Sequence, residues 1–156
     1  MKIEKTVITR QEDIAPNHVS HGAFEYYKHL VIPKEGNQCT VAFMEIPPLK
    51  SAFPNHYHES VTEVFYIISG QGVIKTADGE KSVGAGDIAV FPPGIQGSHK
   101  IFNVSTTENL CYIDIDTTSM PDVCHYPDSN KVGIFTGDKM GMIYKEDDNV
   151  DYYEGE

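Results

Sequence analysis

Arginine is nearly absent. Arg10 is the only one in 156 residues, and the chain carries a net charge of −11. A protein with that balance repels nucleic acid and anionic membranes, so neither is an expected partner. It also lacks the guanidinium forks that clamp phosphates and dicarboxylates, although a lysine can still hold a single anion. Cysteine is scarce as well. Cys39, Cys111 and Cys124 are odd in number and none forms a CxxC pair. That pattern argues against a disulfide framework or a cysteine-bound zinc and points to reduced, mostly buried thiols. No apolar stretch is long enough to span a bilayer. Near Met1 there is no basic segment followed by an apolar run of the secretory kind, so the expected location is the cytoplasm. Long amphipathic helical periodicity, repeats of 20 to 50 residues and low-complexity linkers are also missing.

What is present is dense punctuation, with 13 Gly and 9 Pro. Between these marks lie short runs rich in β-branched and aromatic residues, at 40–46, 63–68, 87–91 and 110–115. Short strands separated by turn signals predict an all-β sandwich or barrel, in one domain at this length. Asp78-Gly79 is expected as a two-residue hairpin turn. Residues 22–32, which hold His29 within a histidine- and tyrosine-rich stretch, are expected as a strand rather than a helical turn. Pro121 and Pro127 mark an irregular segment, followed by short strands at 131–136 and 140–145. The acidic residues 146–156 are expected on the surface or against a partner subunit.

The stretch His56-Tyr-His-Glu-Ser-Val-Thr-Glu63 carries the chemistry. Residues two apart on a strand share a face, so His56 and His58 point one way and Tyr57 the other. A turn through residues 59–62 lets Glu63 open the next strand in register with Phe65 and Ile67. An acid on an apolar face is costly to bury unless it is paired or bound to a metal. Two imidazoles and a carboxylate converging from adjacent strands suit a divalent first-row metal. His18, His21, His29 and His125 have no ligand-like spacing, and Glu59 is expected to be solvated. Glu45, one charge in an apolar strand, is either a catalytic acid or base or simply an outward-facing residue. No catalytic residue is singled out.

Gly70 follows Glu63 by seven residues, and Gly86, Pro92, Gly94, His99 and Asn103 follow in turn. This series resembles the two motifs of the cupin superfamily, G-x5-HxH-x3–4-E-x6-G and G-x5-PxG-x2-H-x3-N, across residues 56–103. The spacing between the motifs is close to that of small single-domain bacterial members. Two departures stand out. Lys50 occupies the place of the leading glycine, and Gly97 occupies the place of the second-motif histidine, with His99 and Asn103 both shifted by two. If the loop 95–98 absorbs the excess, His99 and Ile101 face inward and Lys100 and Phe102 outward.

The resemblance implies a double-stranded β-helix, or jelly-roll barrel. Its core would span about residues 38–118, with N-terminal strands before it and a C-terminal extension over 119–156. It implies one divalent ion (Fe, Mn, Zn or Ni) held by His56, His58, Glu63 and His99, with metal-free members as the alternative. It also implies a homodimer, with residues 1–35 or 131–156 crossing between subunits. The expected function is that of a metal-dependent, dioxygenase-like oxidoreductase acting on a small chelating molecule. Alternatives are a non-catalytic small-ligand binding or sensing protein, and a sugar isomerase or epimerase, which the shortage of cationic side chains disfavours. Phe65, Ile67, Tyr66 and Gln96 are expected to line a mostly apolar cavity. Cys111, alternating with Ile113 and Ile115, either points inward too or is a structural thiol.

Overall fold

A computed structural model describes residues 2–137 and 141–156, and among them there are thirteen strands, four short 3-10 turns and no α-helix. The chain begins with a hairpin of β1 (Asn17–His21) and β2 (Phe24–Ile32), then β3 (Cys39–Ile46) and the two-residue β4 (Tyr57–His58). The long β5 (Glu63–Ser69) leads into the hairpin of β6 (Gln71–Thr76) and β7 (Gly79–Gly84). Next come β8 (Ile88–Phe91), β9 (His99–Asn103) and β10 (Leu110–Thr117). The chain closes with β11 (Asp122–Tyr126), β12 (Lys131–Phe135) and β13 (Met142–Lys145).

Every ladder is antiparallel. One sheet runs β1-β2-β3-β10-β5-β8. Facing it are β7-β6-β9 and β13-β12-β11-β4, joined edge to edge by a bridge between His56 and His99. The result is a jelly-roll barrel, an all-β solution that leaves few exposed edges. Strand β3 shows how sequence sets the faces: Thr40, Ala42, Met44 and Ile46 are buried while the residues between them are not. Ala42, Met44 and Ile46 pack with Phe65, Ile67, Ile74, Ile101, Leu110 and Tyr112 to form the core. Met44 has no exposed surface. Met44→Ala is therefore expected to cost about 2–5 kcal/mol through lost burial and the cavity left behind. A drop in the urea midpoint at unchanged m-value is the corresponding observation.

Local details differ from the sequence expectation. The segment 22–32 is a strand only from Phe24, because Gly22, at φ +60°, sits in the turn that pairs His21 with Phe24. The histidine-rich stretch before it is β1, so this region is a hairpin. The β6–β7 turn lies one residue earlier than expected. Thr76 pairs with Gly79 across Ala77 and Asp78, and the Thr76 hydroxyl donates to the Gly79 carbonyl at 2.8 Å. The hydroxyl closes the turn and leaves Gly79, at φ +111°, as the first residue of β7. Within the expected strand at 140–145, residues 142–145 form β13, and Met140 lies outside the described residues.

The outer face of the six-stranded sheet is apolar in two cross-strand rows. Phe43, Ile113, Tyr66 and Ile88 form one, and Val41, Ile115, Val64 and Val90 form the other. Ile88 is 67% exposed and Val90 59%.

Candidate metal centre

The bridge between the two smaller sheets positions the site. The His56 amide donates to the His99 carbonyl at 3.0 Å, and the His99 amide donates back to His56 at 2.9 Å. Residues paired this way in an antiparallel bridge project side chains to the same face. The segment before β9 forms a 3-10 turn at Ile95–Gly97 that takes up the two extra residues. Gly97 is needed there for closeness rather than for an unusual φ, since a Cβ on it would collide with the Pro92 carbonyl. Strand β9 then buries His99, Ile101 and Asn103 and turns Phe102 outward. Asn103 is the second anchor: its side chain donates to the carbonyls of Ile46 and Glu108 at 2.8 Å each, tying the strand end to β3 and the loop before β10.

The four side chains singled out from sequence meet at one atom, Glu63 Oε2. It lies 3.2 Å from His99 Nε2, 3.6 Å from His56 Nε2 and 3.7 Å from His58 Nε2. Each imidazole is held by its other nitrogen. His56 Nδ1 donates to the Pro54 carbonyl and His99 Nδ1 to the Gly97 carbonyl, both at 2.9 Å. His58 Nδ1 donates to the Asp122 carboxylate, 3.1 Å from both oxygens. A carbonyl or carboxylate can only accept, so each Nδ1 carries a proton, and a ring without a second proton turns its Nε2 lone pair toward a carboxylate. His99 Nε2 and Glu63 Oε2 are buried without a hydrogen-bond partner. Converging acceptors are expensive in a buried site, and a cation answers all of them at once.

The electrostatics carry the same demand. Burial alone would raise Glu63, but His99 and His56 hold its carboxyl well below its usual value. Burial alone would lower His56, yet the neighbouring Glu63 carboxylate raises it. Positive charge is stabilised here whether protons or a metal supply it. Imidazole and carboxylate together suit Fe, Mn, Zn or Ni, so the residues fit such an ion.

The centre opens into a cavity of about 330 Å³. Its inner wall carries Asp114 and Asp116 from β10, whose carboxyl oxygens lie within 4.8 Å of Glu63 and of each other. Burial, opposed by Lys28, raises Asp114, while burial and the charges of Asp114 and Glu63 push Asp116 up to about 9. At the mouth, Lys28 Nζ donates to Asp114 Oδ2 at 3.1 Å, and Lys34 Nζ donates to Asp122 Oδ2 at 2.6 Å. Cys124, Tyr126 and Phe135 close the remaining side. Burial pushes the Cys124 thiol up to about 12, which leaves it protonated beside His56 and His58.

The lining therefore differs from the sequence expectation. Phe65 and Ile67 lie beneath the site in the solid core. Tyr66 is on the outer face of the sheet, and Gln96 lines a separate surface groove with Phe91 and Ser98. Cys111, Ile113 and Ile115 face outward, because β10 buries Leu110, Tyr112 and Asp114 instead. Glu45 is on the far side of β3, where Gln11 donates to it at 2.6 Å and His29 lies at 3.0 Å. Glu59 is exposed and pairs with His125 at 3.1 Å. Sequence reasoning missed Lys28, Lys34, Asp114, Asp116 and Asp122.

Comparison with known proteins agrees with this architecture. The description "Cupin domain" matches residues 42–116. An oxalate-binding protein of Thermotoga maritima is 30% identical over 114 residues, covering 69% of this chain and 92% of that protein. A solved structure of a predicted oxalate decarboxylase from the same organism is 26% identical, with a TM-score of 0.64 over 72% of this chain and all (100%) of that one. A putative sugar phosphate isomerase from Acidithiobacillus ferrooxidans shares 22% identity and a TM-score of 0.76 over 95% of this chain and 97% of its own, a likeness of fold. With these two motifs on facing strands of a jelly-roll barrel, and a relative this similar matched over nearly all its length, the chain belongs to the cupin superfamily.

Proposed function

We propose that this protein is a metal-dependent enzyme acting on a small molecule that chelates a divalent ion through two oxygens. His56, His58, Glu63 and His99 are its proposed ligands. The observation that supports this is the meeting of three imidazole Nε2 atoms with Glu63 Oε2 in a cavity that also holds the carboxyls of Asp114 and Asp116. A bound ion supplies Lewis-acid polarisation of substrate oxygens and, with iron or manganese, access to oxidation. The chain's own groups supply the rest. Asp114 and Asp116 lie within reach of any molecule seated against Glu63, and a proton can be held or passed at their carboxyl oxygens. Lys28 orients Asp114, and Phe53, Tyr126 and Phe135 give the cavity apolar walls. The dioxygenase expectation uses the same centre. The carboxyl pair adds proton transfer, which decarboxylation and isomerisation require and oxygen insertion does not.

A second reading is a binding protein without turnover, favoured by the oxalate-binding relative. Elemental analysis of protein purified without metal-affinity resin, followed by turnover assays of the reconstituted protein, separates the readings. About one ion per chain with turnover is expected. An ion with no turnover across chelating acids and hydroxy-carbonyl compounds favours the binding reading, and no uptake of any first-row ion overturns both.

The assembly proposed is a two-fold homodimer. At a net charge of −11 two copies repel each other. The rows around Tyr66 and Ile88 carry no charged residue, so a self-complementary contact there meets the least repulsion. Light scattering should give twice 17.4 kDa, and Ile88→Lys with Val90→Lys should return the monomer mass. A wild-type monomer at micromolar concentration would refute the dimer.

A further inference from the structure

We infer that the molecule held in this cavity is an unphosphorylated polyhydroxy carbonyl compound, such as a small sugar, with its hydroxyls against Asp114 and Asp116. The inference rests on the metal-centre reading above and narrows its substrate class.

The charges of the cavity decide against a dianion. Five carboxyl groups line it: Glu35, Glu63, Asp114, Asp116 and Asp122. Against them stand two cations, Lys28 and Lys34, and each is already ion-paired to a buried carboxylate of the same cavity. Among the described lining residues no further lysine or arginine remains for a phosphate or a second ligand carboxylate. A divalent ion brings the set close to neutrality, and a dianion would then face Asp114 and Asp116 without a counter-charge.

The unmet hydrogen-bonding capacity points to hydroxyls. Asp114 is 2% exposed; its Oδ1 and the Oδ1 of Asp116 are buried and receive a hydrogen bond from no other residue, the two carboxyls interacting with one another. Buried acceptors of this kind call for donors. A hydroxyl can both donate and accept, so it suits the pair whichever carboxyl carries a proton. Beside them the rings of Phe53, Tyr126 and Phe135 offer flat apolar surface, which suits the C–H face of a sugar. The volume, about 330 Å³, leaves room well beyond a two-carbon dicarboxylate.

The test uses full-length protein loaded with Mn(II), whose uptake is measured first. D-ribulose, D-ribulose 5-phosphate and oxalate are then compared by their effect on water proton relaxation at the ion and by line broadening of the ligand. D-ribulose should bind at least about tenfold more tightly than either anion, and Asp114→Asn with Asp116→Asn should weaken it at least about tenfold with Mn(II) retained. Tighter binding of oxalate or of the phosphate ester, no binding of D-ribulose by the loaded protein, or unchanged binding in the variant overturns the inference. Failure to take up Mn(II) or any other first-row divalent ion overturns the metal reading itself, and this inference with it.

Discussion

His99→Ala is expected to lose its metal as completely as His56→Ala. The two histidines hold equivalent places: they pair across one antiparallel bridge, each donates Nδ1 to a nearby carbonyl, and each Nε2 faces Glu63 Oε2. His99 has the shorter approach, 3.2 Å against 3.6 Å. Removing either imidazole takes away one donor and leaves Glu63 buried with less compensation. The loss of affinity should exceed the about 10–100-fold typical of disturbing a residue that merely supports a ligand. Elemental analysis of both variants, with circular dichroism to verify the barrel, gives the answer. Full metal retention in His99→Ala alone would reduce the centre to three protein ligands, His56, His58 and Glu63, and the chemistry would move to that of a facial triad.

Asp122→Asn should weaken metal binding about 10–100-fold while leaving the fold intact. Asp122 is the sole carboxylate among the three acceptors that fix the imidazoles, the others being the carbonyls of Pro54 and Gly97. A carboxylate on Nδ1 makes the ring a stronger donor at Nε2 and fixes its orientation. Burial alone would raise Asp122, but His58 and Lys34 lower it, so it is anionic when it does this. Asparagine keeps the shape and loses the charge. Lys34→Met should have a smaller effect in the same direction, since it removes the ion pair and leaves the His58 contact. Chelator competition on the three proteins measures the order. Equal affinity in Asp122→Asn and wild type would show that Asp122 does not tune His58.

Much of the fold was legible because β-strands write their faces into alternate residues. His56, His58 and Glu63, in register with Phe65 and Ile67, could be read from spacing alone. His99 was harder, and its place depended on a loop whose shape is set by Gly97 packing on Pro92. The inward alternative for Cys111 on strand β10 fails for a physical reason. The strand's apolar residues Cys111, Ile113 and Ile115 look like the inner set, but they belong to an outer face that is itself apolar. The inner set, Leu110, Tyr112 and Asp114, ends in acids because it runs from the core into the cavity. The ion pairs Lys28–Asp114 and Lys34–Asp122 join residues 86 and 88 positions apart, and no local pattern announces contacts of that kind.

That separation bears on the order in which the molecule assembles. His58 is held by Asp122 and Asp122 by Lys34, and strand β4 itself finds its partner in β11. During synthesis, therefore, the segment 56–63 leaves the ribosome long before the strand that fixes it. A chain halted before residue 122 would carry all four proposed ligands with His58 unanchored. Closing so long a loop is slow compared with forming the β6–β7 hairpin. Under the proposed metal reading, capture of the ion would be a late event coupled to docking of the C-terminal strands, and ion affinity would serve as a reporter of completed folding.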